Sequence, residues 1–173
     1  MSTLSIKELS HPAGEVIKIA AGKTLDLNSQ GSVKMPTDSI IQVVQGSGTT
    51  SEQHTSTTYA VYSPANATII PSSTSSRILV MLESTAMSVK NGGHNGQISV
   101  QIYRGTTAIS RESQTRGYDY GGSGILVTAS NTISIIDSPN TTNATTYSVY
   151  YKKLEGDYAR MYGASITLME IAG

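Results

Sequence analysis

The chain has no cysteine, no tryptophan and no phenylalanine among its 173 residues, and each absence removes a class of structure. Without thiols there is no disulfide framework and no thiolate metal site. Without Phe and Trp, which carry much of the buried area of ordinary cores, the interior falls to Ile, Val, Leu, Met and ten Tyr. Charge is scarce, at 14% of residues, and balanced, with twelve Lys and Arg against twelve Asp and Glu. Such a chain has no global field to draw in nucleic acid or an anionic membrane surface. No apolar run is long enough to cross a bilayer as a helix, and the opening MSTLSIKELSHP lacks the apolar core of a signal peptide. The expectation is a chain made in a cytoplasm and not exported, without membrane insertion, holding one core or one domain plus an appendage.

What is present points to strands. Ser, Thr, Gly and β-branched residues are abundant, and no window sustains an apolar stripe at helical spacing beyond two turns. From Ile17 to Val43 the pattern repeats every eight residues: Ile17, Leu25, Val33 and Ile41 form one apolar series, Ile19, Leu27, Met35 and Val43 a second, with Lys18, Asp26, Lys34 and Gln42 between them. Turn formers join the units, as in Ala21-Gly22-Lys23 and Pro36-Thr37-Asp38-Ser39. A ribbon of such short strands has an apolar face and cannot stabilise itself alone. Packing against copies in a homotrimer, or against the rest of its own chain, would cover it. The expected organisation is therefore an N-terminal trimerisation or attachment segment, residues 1–45, and a β-sandwich, residues 46–173. Strands are expected at Thr58–Tyr62, Ala67–Ile70, Arg77–Glu83 extending towards Val89, and Gln97–Arg104. Four more are expected at Ile125–Thr128, Thr132–Ile136, Thr146–Lys152 and Ser165–Ile171. About eight strands at this spacing indicate an all-β sandwich of jelly-roll type.

Chemistry-bearing motifs fail on inspection. AAGKT would need a glycine where Ile17 stands to begin a phosphate-binding loop, and GGSG around Ser123 would need one at Ile125 to be a nucleophile elbow. His11, His54 and His94 are far apart in polar stretches, which reads as solvated loop histidines, and no cofactor or metal is expected. Glu83, Glu112, Asp119, Asp137, Glu155 and Asp157 show no spacing that commits two carboxylates to one cleft, as glycan hydrolysis requires. The most site-like stretch is RESQTRGYDYGG: Tyr118 and Tyr120 flank Asp119 in a glycine-bordered loop with Arg111 and Arg116 near by. Flat rings, a carboxylate and a guanidinium are what a glycan surface offers purchase to, so Tyr118, Asp119, Tyr120 and Arg116 are the candidate receptor-binding residues. Packing of those tyrosines on a neighbouring subunit is the competing account. SPNTTNATTYSVYYKK contains glycosylation-type sequons at Asn140 and Asn143, with a third at Asn66. In a chain that is not exported they read as turn formers ahead of a strand through Tyr147.

The blocks VQIYRGTTAIS, IIDSPNTTNATTYSVYYK and SITLMEIAG, preceded by GKTLDLNSQGSVKMPTDSIIQVVQ, resemble in order the recurring blocks of tail-fibre and other virion structural proteins of marine tailed phages, cyanophages in particular. The resemblance implies an all-β, trimeric, non-enzymatic virion component, associated with itself and with other tail or capsid proteins, and in contact with a host-surface glycan if it sits on the tail. Two further roles stay open at this point: a capsid decoration, cement or head-fibre protein, and a glycan-degrading tail protein.

Overall fold

The computed structural model describes residues 21–22, 35–91 and 93–173. Ile17, Leu25 and Val33 of the apolar series lie outside the described residues. Those described hold ten strands and no helix: β1 (Ile40–Gly48), β2 (Glu52–His54), β3 (Ala60–Ile69), β4 (Arg77–Lys90), β5 (Asn95–Arg104), β6 (Thr107–Ala108), β7 (Ser113–Tyr118), β8 (Ile125–Asp137), β9 (Thr145–Glu155) and β10 (Tyr158–Ile171). Two antiparallel sheets form, β1-β10-β4-β8 with β2 continuing the β1 edge, and β3-β9-β5 with β6 and β7 sharing the far edge of β5. The pairing is nested: β1 with β10, β3 with β9, β4 with β8, β5 with β7. A long hairpin wound into two layers gives this order, which is the jelly roll expected from the sequence.

Alternation decides which side chains go inside. Ile98, Val100 and Ile102 of β5, Tyr147 and Val149 of β9, Ile78, Val80 and Leu82 of β4, and Ile166 and Leu168 of β10 are fully buried between the sheets. Tyrosine takes the place of the missing Phe and Trp, and each buried hydroxyl must find a partner. Tyr62 donates to the carbonyl of Thr50 at 2.6 Å, and Tyr147 to Asp137 Oδ2 at 2.7 Å. Asp137 also receives Arg104 Nη1 at 2.9 and 2.7 Å, so a three-residue polar tie joins β8 of one sheet to β5 and β9 of the other. Glu170, wholly buried, is held by Gln42 Nε2 at 2.5 Å and by the amide and hydroxyl of Ser72, both at 2.7 Å.

Four differences from the expected strands have physical causes. The stretches through Tyr62 and Ala67 are one strand, β3, interrupted by a register shift between Val61 and Asn66 where Pro64 sits. Proline is tolerated there because β3 is an edge strand. The stretches through Leu126 and Ile133 also merge, into β8: Asn131 broke the apolar alternation in the sequence, yet it faces inward and accepts bonds from Ser113 and Thr115 of β7 at 3.0 and 3.3 Å. The polar segment after Gln45 contains β2, and RESQTRGYDYGG contains β7, which pairs with β5 from Val100↔Ser113 to Asn95↔Tyr118. Finally, β1 crosses the boundary expected at 45/46. It pairs with β10 from Ile40↔Ile171 to Gly48↔Ala164, placing Ile41 and Val43 in the sandwich. At Gly46 a Cβ would run into the carbonyl oxygen of Asn66, so β1 closes over β3 only because that residue is glycine. The turn reading of SPNTTNATT also has a structural counterpart: Asn140 adopts φ 53° and its amide donates to the carbonyl of Ser138 at 3.1 Å.

Candidate functional site

The β7 strand delivers Tyr118 to one end of the sandwich, beside the turn that precedes β5. Two turns meet there, around Gly93-His94 and around Asp119–Gly124, and backbone bonds lock them together. Asp119 N donates to His94 O at 2.8 Å and Gly93 N to Gly122 O at 2.9 Å. His94 Nδ1 lies 2.6 Å from Asp119 O. Asp119 itself is spent on the turn, its two carboxylate oxygens accepting Gly121 N and Ser123 N at 2.9 Å each. The Gly121 amide, with those of its neighbours, holds the Asp119 carboxyl below its ordinary range. Gly122 has φ +65° and a Cβ there would press on the His94 ring, so glycine is required twice over.

This frame carries three rings. His94 stacks on Tyr118, centroids 5.5 Å apart and planes at 18°, and Tyr118 meets Tyr120 edge to face at 4.7 Å and 74°. Tyr118 is 51% and Tyr120 91% exposed, the most exposed large apolar side chain among the described residues. Arg116, two residues back on β7, points to Glu155 at 3.5 Å with more than half of its side chain in solvent. The structure thus brings Tyr118, Tyr120 and Asp119 together, with Arg116 at the flank, and adds His94, which the sequence reading left as a solvated loop residue. The signal for His94 was the pair of glycine-rich turns, NGGHNG and GYDYGGSG, at adjoining ends of two strands that pair.

A second aromatic group was missed entirely. On the outer face of the second sheet Tyr103 and Tyr150 stack at 4.0 Å and 24°, and Tyr59 lies 5.8 Å from Tyr103. Lys152 Nζ sits 4.3 Å over the Tyr59 ring and 3.0 Å from Glu112, while the Tyr59 hydroxyl meets Ser99 Oγ at 2.7 Å. Lys152, helped by Gln114, lowers the Glu112 carboxyl to about 2, and burial pushes the Tyr59 hydroxyl well above its ordinary value. Nothing in the sequence marks this cluster, because its members come from the approach to β3, from β5, from β9 and from the residue just before β7.

Two further carboxylates have partners of their own: Asp137 with Arg104, and Asp157 with Lys90 at 3.2 Å and the Asn91 amide at 2.8 Å. Among the described residues no group of three or more His, Asp or Glu is placed to hold a metal ion.

No protein-family model matches the chain. No curated protein matches it either. Among solved structures it is similar to a chain of the tripod (BppUct-A-L) from the baseplate of bacteriophage Tuc2009, at 13% identity over 95% of this chain and 84% of that one, with a TM-score of 0.36. The jelly-roll assignment rests on the strand order above and not on this likeness.

Proposed function

We propose that this chain is a non-enzymatic structural protein of a tailed-phage virion, a short trimeric tail fibre whose N-terminal segment joins subunits and whose sandwich presents the His94–Tyr118–Tyr120 tip to the host surface. The observation that carries the reading is the tip itself. Exposed rings are held by a locked double turn on a rigid β-frame, which lowers the ordering cost of binding. Tyr118 and Tyr120 offer ring faces to the apolar side of a sugar, and Arg116 stands at the rim as a donor to its oxygens. Asp119 acts by holding the turn. One site of this size is weak, and three on a trimer with several trimers per particle give avidity. The resemblance of its sequence blocks to virion structural proteins of tailed phages supports the setting. The engagement of Glu112 by Lys152 and of Asp119 by its own turn supports a binding role over glycan cleavage.

The test is replacement of both Tyr118 and Tyr120 by Ala. Adsorption of the protein or particle to host cells should fall at least about tenfold, with the melting temperature unchanged because the rings lie outside the core. Unchanged adsorption would remove the tip from host recognition.

A further inference from the structure

The two sheets meet edge to edge along two seams. On one side β1 lies on β3, with Gly46 against the Asn66 carbonyl. On the other side β7 lies on β8, and Gly117 permits the contact, because a Cβ there would collide with a methyl of Val127. This second seam is pinned again at Asn131, which accepts from Ser113 and Thr115, and at Asp137, which receives Arg104 and Tyr147. Between Asn131 and Asp137 it is open. The register explains why: Tyr103 pairs with Ala108 and Val100 with Ser113, so residues 109–112 oppose only Gln101 and Ile102 of β5 and bulge from the sheet. A cleft of about 490 Å³ results, bounded by Ile109 and Arg111 on one side and by Ile133, Ser134 and Ile135 of β8 on the other. Successive residues of a strand point to opposite faces, so a space that touches all three of these lies along the edge of β8 and on neither face. Ile133 and Ile135 face inward yet are only partly buried, while Leu82 and Val80 beside them on β4 are fully buried. The edge is also unguarded. β8 ends its sheet, no described residue pairs with its outer side, and it runs 13 residues in unbroken register with no proline and no charge before Asp137. The β3 edge, in contrast, is interrupted at Pro64, and β7 is short and carries Arg116. Such devices blunt an edge against further pairing, and a strand without them is open to an added one.

We infer that β8 takes an extended segment of another protein chain as an added strand between Asn131 and Asp137. Main-chain groups of β8 bond those of the segment, its alternate apolar side chains fill the cleft at Ile109, Ile133 and Ile135, and a carboxylate on it meets Arg111. The dimensions agree. Asn131 and Asp137 stand six residues apart, about 20 Å at ~3.3 Å per residue, which is the length of an ordinary five- or six-residue strand. The cleft falls within the roughly 300–1,000 Å³ of sites that take a ligand. Charge selects the chemistry of the partner. Glu112, at the same rim, is held by Lys152 and Gln114, whereas Arg111 makes no ion pair with a described residue. The uncompensated charge at the rim is therefore positive, and an acidic segment complements it. A second β8 is the wrong occupant, since its one carboxylate, Asp137, is already held by Arg104. This edge is separate from the tip, and the inference needs neither host binding nor a trimer.

The experiment titrates the full chain with a synthetic peptide, Thr-Val-Thr-Val-Thr-Val-Glu blocked at both ends, and follows affinity and amide hydrogen exchange by NMR. Two control peptides carry Lys in place of Glu, or N-methyl groups on the main-chain amides. The expected result is binding of the Glu peptide with a Kd of ~1 mM or tighter, and slower exchange at residues 132–136. The Lys peptide should bind at least about tenfold more weakly, and Arg111→Glu, a change at an exposed residue, should reverse that order. N-methylation should weaken binding at least about tenfold, because it removes the main-chain donors. Equal binding of the N-methylated peptide would mean that side chains occupy the cleft without strand addition, which overturns the inference. So would slow exchange at 132–136 with no peptide bound: loss of that protection on dilution assigns the edge to a second copy, and its persistence assigns the edge to the chain itself. Fast exchange with no binding of any peptide overturns it as well.

Discussion

The outer faces of the two sheets both carry large apolar or aromatic side chains, in opposite states. On the second sheet Tyr103 and Tyr150 cover each other, Lys152 covers Tyr59, and Glu112 and Ser99 take up the polar ends, so each member of this cluster has a partner within the chain. On the first sheet Val43 and Ile136 close a row whose members have only one another and, among the described residues, nothing above them. A solvent-facing sheet surface is completed either by amphipathic side chains that satisfy one another or by a second molecule. The second sheet's face is completed in the first of these ways.

The largest effect should come from detaching the strand that carries Val43. Gly46→Ala sets a methyl group against the backbone carbonyl of Asn66, which cannot rotate away as a side chain would. Destabilisation of about 3 kcal/mol or more is expected, read as a fall in the urea midpoint. It should be accompanied by proteolytic cleavage in the 35–50 stretch. A variant with wild-type stability would mean that β1 is not held against β3.

A smaller effect contrasts the two faces directly. Tyr150→Ala removes one half of a packed stack and should cost about 2 kcal/mol at any protein concentration. Ile136→Ala removes a side chain that touches little within its own chain and should cost less than about 1 kcal/mol in dilute solution. If the first face is covered by another copy, the Ile136→Ala cost grows as concentration rises, since association then contributes to apparent stability. Denaturation series at two concentrations separate the cases. Equal concentration dependence for both variants would erase the distinction between the faces.

How much of this was legible in the sequence follows the range of the interactions. Strands with strict alternation, such as Ile98, Val100 and Ile102, announce themselves because their burial pattern is local. β7 did not, and β8 read as two strands because Asn131 occupies a core-facing position, where its Oδ1 accepts from hydroxyls of Ser113 and Thr115 more than a dozen residues away. At the tip, Tyr118 and Tyr120 could be singled out from spacing and glycine borders. The capture of Asp119 by the amides of Gly121 and Ser123 is a local contact within the turn, whereas the arrival of His94 depends on the pairing of β5 with β7, which no local pattern encodes. The Tyr59, Tyr103 and Tyr150 cluster was invisible for the same reason: its members lie 44 and 47 residues apart in sequence.

The smallest expected effect tests whether the second face is held by its ion pair as well as by its rings. Glu112 is ionised against Lys152 in the folded protein, its carboxyl lowered from 4.5 to about 2, first by Lys152 and then by Gln114. A depressed carboxylate contributes stability that is fully present above the unfolded value, and that stability is lost as pH falls through the folded one. The window is therefore pH 4.5 down to about 2, the two values between which Glu112 holds its charge only when folded. With 34% of the Glu112 side chain exposed, solvent screening keeps the contribution to the order of 1 kcal/mol or below. Glu112→Gln should flatten the fall in stability across that window by this amount and leave stability near neutral pH lower by the same margin. Lys152 would then keep only the Tyr59 ring, a contact worth roughly 0.5–1 kcal/mol at an exposed site. A Glu112→Gln protein with the wild-type acid profile would show that the rings alone complete the second face.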